Sequence, residues 1–181
     1  MAAESQDLPE GQHRTESQDL PEGQHRSGSG LIWGAAALGL LNAAPSFYWA
    51  FGGDALLDTI GQWLVDLRGR YPVLIGSGLL GIALGKSAAA VVPLVAVYGL
   101  AARRALWWNL SRVVALALIL YGAAGTAINL GLLLWPGLTV EDPTARWGQA
   151  LLWYPMLLLW GLVLSLGLRR KRVSMGGPSL E

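Results

Sequence analysis

The sequence has no cysteine. Disulfides, thiolate metal sites and thiol redox chemistry are excluded, and with them the quinone-linked thiol oxidoreductases, some of which are also small membrane bundles. Histidine is nearly as scarce. His13 and His25 stand in a polar N-terminal stretch, and none falls in an apolar run. That leaves no bis-histidine haem and no convincing zinc site inside a bundle, so no cofactor is expected. Asp and Glu are missing from every long apolar run, which argues against a proton relay through a membrane centre. Lysine occurs only at Lys86 and Lys171, so arginine supplies nearly all the positive charge. The net charge of +1 gives no reason to expect a nucleic-acid partner.

Apolar residues, in contrast, make up 53% of the 181-residue chain. They avoid the first 30 positions and gather into runs long enough for a hydrocarbon core of roughly 30 Å. The first 30 residues hold a perfect duplication: "ESQDLPEGQHR" at 4–14 returns at 16–26. Each copy has one leucine and cannot bury enough surface to offset ordering entropy, so residues 1–30 read as a disordered tail ending in a flexible joint, "RSGSG". Residues 173–181 read as a second tail.

Four spans follow, at about 31–51, 79–102, 113–134 and 147–168. The first ends in "SFYWAFGGD" (46–54), where an aromatic belt meets two helix-breaking glycines. Residues 54–67 place Leu56, Leu57, Ile60, Trp63, Leu64 and Leu67 on one stripe and acidic groups on the other. This predicts an interfacial amphipathic helix capped by Asp54. The stretch 71–102 is too long for one perpendicular span, at about 48 Å if wholly helical. The expected fold is therefore all-α: a four-helix membrane bundle with a short interfacial helix after the first span.

Charge flanks orient it. Arg103, Arg104, Arg112 and the 169–172 cluster share one side, with Arg14 and Arg26. The positive-inside rule makes that side cytoplasmic, with both termini there, in what is expected to be a bacterial inner membrane.

Two tempting motifs fail. "GSGLLG" (76–81) matches a dinucleotide fingerprint, but no acidic residue follows at the required distance and both flanks are membrane-apolar. "GIALGKS" (81–87) has three residues where a P-loop needs four before its Gly-Lys pair. Close helix packing is the expected role of Gly78, Gly81 and Gly85. Three roles are open to Lys86: snorkelling to the outer interface, pairing with Asp54 or Asp58, or contact with a ligand or ion. Asn42, Ser46 and Asn129 are polar residues inside spans, suited to interhelical hydrogen bonds. Tyr121, Gly125 and Asn129 share one face of the third span. Asp142-Pro143 reads as an N-cap with proline at the first helical position.

Through Tyr48, Trp49, Ala50, Gly52 and Gly53, the chain resembles a bacterial family of small four-helix membrane proteins catalogued as a domain of unknown function. Its fourth span is similar to that family's pattern through Tyr154, Pro155 and Gly161. The resemblance covers roughly residues 31–170 and implies four helices but no activity. Many members carry a histidine about one turn before the tryptophan, near the place held here by Ser46.

The sequence thus points to a non-enzymatic membrane helper, partner-binding subunit or small-solute transporter. Its expected partners are the bilayer and another membrane protein or a second copy. The alternative is a membrane enzyme acting on a lipid or isoprenoid at the outer interface. Tyr48, Trp49, Asp54, Lys86 and Asn129 are the candidate ligand-binding residues.

Overall fold

Inside a bilayer an uncharged run must satisfy its backbone internally, and a helix does so within one segment. The computed structural model describes residues 23–100 and 102–175 and has no strand among them. The duplicated segment lies almost wholly outside the described residues, as does the C-terminal tail from residue 176. The helices are α1 (Gly23–Ala50), α2 (Gln62–Arg70), α3 (Pro72–Tyr98), α4 (Arg104–Leu134), α5 (Pro143–Gly148) and α6 (Tyr154–Met175). A π-helical turn, Gln149–Trp153, joins α5 to α6. Four segments are long and apolar enough to cross a membrane: Gly28–Ala50, Pro72–Tyr98, Arg104–Leu134 and Pro143–Arg172. The protein is a multi-pass membrane protein.

Several boundaries differ from expectation; α4, for one, starts at Arg104 and not near residue 113. The "RSGSG" joint is part of α1. Gly28 is buried there, beside the Lys171 side chain of α6. α3 begins at Pro72, not near residue 79, because Pro72 occupies the first helical turn, where its missing N–H costs nothing. It stops at Gly99, whose φ of 66° is left-handed. The amphipathic helix begins at Gln62, not Asp54; residues 54–60 form turns instead. Thr59 holds those turns, donating from its N–H to the Asp58 carboxylate and from its hydroxyl to the Leu56 carbonyl. Asp54 therefore caps no helix.

α1 packs against α3 and α6, and α4 packs against α6, while α3 and α4 touch less extensively. One core joins Ile32, Ala35, Ala90, Trp160 and Leu164. Glycines set the approach of α4 to α6. A Cβ on Gly122 would meet the Leu158 backbone at 2.5 Å, and one on Gly125 would strike the Tyr154 ring at 2.2 Å. From the other side, a Cβ on Gly161 would meet Ile119 and Leu118 at 2.9 Å. The expected packing of Gly78, Gly81 and Gly85 is not found within the chain: all three are exposed with open space around them. The π turn stands just before Pro155 and accommodates its missing N–H.

The "FYWAFGGD" stretch is a corner. Gly53 N–H donates to the Tyr48 carbonyl and Gly52 N–H to that of Trp49, with Gly52 at φ 102°. This is the Schellman arrangement that ends a helix on glycine. Arg68 of α2 donates to the Gly52 and Gly53 carbonyls, binding the corner to the next helix. The Tyr48 ring fills the space where a Gly53 side chain would stand. Gly53→Ala should lower the melting temperature in the wild-type background and lower it less beside Tyr48→Ala. Equal losses in both backgrounds, read by thermal denaturation in detergent, would remove the ring contact as the cause.

Candidate functional site

Asn42, Ser46 and Trp49 recur at helical spacing on one face of α1, and all three are buried. Facing them is Lys86 of α3. Its ammonium donates to the Asn42 backbone carbonyl and to Ser46 Oγ, both at 3.2 Å. Because α3 starts at Pro72, Lys86 lies about 21 Å along the helix from that end and about 18 Å from Tyr98. It lies near the middle of α3, with its ammonium turned to α1. Neither Asp54 nor Asp58 is its partner; of the three roles open to it, that pairing is replaced by neutral oxygens.

Beside the lysine is a cavity of about 320 Å³. Asn42, Lys86, Tyr121, Tyr154 and Leu157 line it together with Trp49, Ile60, Trp63, Gln149 and Trp153. None of these residues is acidic. Asn42 is 1% exposed, and its side-chain oxygen has no hydrogen-bond partner.

The walls are held from several directions. Trp49 and Trp153 meet edge to face at 5.3 Å, as do Tyr121 and Tyr154 at 5.2 Å. Trp49 Nε1 donates to the Ala55 carbonyl at 2.8 Å, Trp153 Nε1 to Thr59 Oγ1 at 3.0 Å, and Gln149 Nε2 to the Ile60 carbonyl at 2.6 Å. The π turn supplies Gln149 and Trp153. Such turns recur at functional sites because the extra residue redirects side chains.

Asp142 latches the outer part. As expected, it caps α5, accepting from Ala145 N at 3.1 Å. Its other oxygen accepts from Gln62 N at 2.8 Å. α2 has no side-chain cap of its own on Gly61, so Asp142 supplies from the third loop the cap expected of Asp54. The Gln62 and Ala145 amides, with a smaller contribution from Arg146, hold the Asp142 carboxyl below its usual range.

The family model for a protein of unknown function, DUF3995, matches residues 39–164. The chain belongs to this family. The matched segment contains the Gly52–Gly53 corner, Lys86, the cavity and the Tyr154-Pro155 turn. No curated protein and no solved structure matches the chain.

Of the candidate ligand-binding residues, Trp49 and Lys86 line the cavity, and Tyr154, expected only in a structural motif, joins them. Tyr48 stacks on the corner, half exposed. Asp54 lies in the turn. Asn129 is committed elsewhere, accepting from Arg146 at 3.1 Å and donating to the Gly125 carbonyl at 2.8 Å, which ties α4 to α5. Asn42 was visible as a polar residue inside a span. Gln149 and Trp153 carried no signal beyond their nearness to Tyr154-Pro155.

The latch has a pH dependence of definite sign. A carboxyl whose folded pKa is depressed contributes stability above its unfolded pKa and loses it as pH falls through the folded value. Acid should release the latch only below about pH 4. Asp142→Ala should cost about 1 kcal/mol at neutral pH, the size of a lost helix cap. It should also remove an acid step in tryptophan fluorescence, and a variant that keeps this step would place the titration elsewhere.

Proposed function

We propose that the protein is a non-enzymatic membrane protein that binds a small amphipathic acid beside Lys86, as a carrier or as a helper to another membrane protein. One observation carries this reading: a mid-span ammonium with no carboxylate partner borders a chamber lined by aromatic rings. A charge at a helix centre costs roughly 2.5–3.5 kcal/mol on insertion scales, and such residues usually mark a binding or transport path. The volume lies at the small end of ligand pockets, which are mostly apolar with a few polar groups fixing orientation. An anionic head would offset the lysine charge. The enzyme alternative needs converging acid and base groups. Asp54, Asp58 and Glu141 do not line the chamber, whose titratable groups are Lys86 and two tyrosines.

The arginine-rich end is taken to face the cytoplasm of a bacterial inner membrane, since positive flanks are retained there. A reporter active only in the periplasm, fused after Arg172, should be silent; activity would reverse the orientation.

Lys86→Met keeps the length of the side chain and removes its charge. It should raise the melting temperature of the ligand-free protein, because the buried charge is lost, while abolishing binding. Saturable quenching of tryptophan fluorescence by a bromine-labelled fatty acid should occur in the wild type, disappear in Lys86→Met, and be weak for the corresponding bromine-labelled alcohol. Equal quenching of both proteins would overturn the reading.

A further inference from the structure

At the other end of the bundle, α4 and α6 run antiparallel and leave a groove between them. Arg104, Trp108 and Arg112 recur one turn apart on α4, and Ser165, Arg169 and Arg172 do the same on α6. The groove has two adjoining hollows, of about 360 and 420 Å³, which share Trp108, Arg112 and Arg172. No acidic residue lines either one. The first continues along Val113, Leu116 and Ile119. Val113 and Leu116 are mostly exposed, so this apolar strip is open toward the bilayer.

We propose that this groove binds the headgroup of an anionic phospholipid. Guanidinium groups match phosphate oxygens through paired parallel donors. Basic pockets between transmembrane helices hold phosphorylated headgroups, and Trp108 is of the type that sits at headgroup level. The apolar strip decides the source of the phosphate. A free phosphate has no use for Val113, Leu116 and Ile119, whereas an acyl chain below a phosphate lies along them. Arg104 has a second task, donating to the Ala96 and Val97 carbonyls at 3.3 Å at the end of α3. Arg112 and Arg172, shared by both hollows, are therefore the main headgroup ligands. The site is distinct from the Lys86 chamber in position and in lining residues, so either can fail without the other.

The test is native mass spectrometry of the full chain in neutral detergent with phosphatidylglycerol, phosphatidylcholine or inorganic phosphate added. Phosphatidylglycerol should be retained about tenfold more than phosphatidylcholine. Arg112→Gln with Arg172→Gln should erase that preference, while Arg70→Gln in α2 should leave it intact. If the double glutamine variant does not fold, Arg112→Lys with Arg172→Lys keeps the charge and should reduce the preference through loss of the paired donors. Equal retention of the two lipids, or a preference unchanged in the variants, would overturn the proposal. Thermal stabilisation by millimolar inorganic phosphate equal to that by phosphatidylglycerol would also overturn it, in favour of a soluble phosphate compound.

Discussion

An ammonium in the middle of a membrane bundle must be solvated by protein or by something the protein binds, and this constraint organises the rest of the structure. Lys86 has three donors. Two meet the Asn42 carbonyl and the Ser46 hydroxyl at 3.2 Å. The α1–α3 contact around them is built from small residues: Ala43, Ala83 and Ala90 are buried, and a Cβ on Gly39 would strike Trp160 at 2.5 Å and Ala90 at 2.7 Å. Tight packing there brings α1 close enough for its oxygens to reach the lysine. The remaining space is bordered by Tyr121 of α4, by Gln149 and Trp153 of the π turn and by Tyr154 of α6.

Those rings are positioned by glycines. Tyr154 lies over Gly125, and the α6 backbone at Leu158 presses on Gly122. The π turn shifts Gln149 and Trp153 toward the loops, where Thr59 and the Ile60 carbonyl receive their N–H groups. The loop after α1 is thereby fastened over the chamber by the π turn, by Arg68 at the glycine corner, and from the third loop by Asp142. These polar contacts hold in place a segment with little core of its own, centred on Leu57 and Leu64.

The four spans and the all-helical class were legible because uncharged runs of that length have few other solutions. The glycine corner was legible too, since two glycines after an aromatic belt end a helix by known geometry. What stayed hidden depended on distant partners. Asp54 had every local mark of a cap, yet Gln62 takes its cap from Asp142, far along the chain. The depth of Lys86 turned on whether helix began at Pro72 or later, and hydropathy alone does not choose a starting point within a long apolar run. Gly78, Gly81 and Gly85 look like a packing stripe but face outward, whereas Gly122 and Gly125 are packed. Spacing is the same in both cases; only the neighbouring helix distinguishes them. Asn129 was a sound choice as an interhelical hydrogen-bonding residue, but its partner, Arg146, lies beyond the next loop.

The two kinds of cation divide according to their chemistry. An ammonium is a compact charge on a flexible stem with three rotatable donors, so it can be held by a carbonyl and a hydroxyl and still present a donor to a ligand. A guanidinium stays charged in any surroundings and offers a fixed planar fork. It is therefore suited to the headgroup boundary, where phosphates are plentiful, and poorly suited to a narrow chamber at mid-span. This chain has Lys86 as its only described lysine within the middle of a span, and gathers Arg104, Arg112, Arg169 and Arg172 at one rim. Exchanging the two types would leave a rigid fork without matching acceptors in the interior and a weaker grip on phosphate at the rim. In the proposed reading, the distribution of cations separates an interior binding chamber from a lipid-facing anchor within one small bundle.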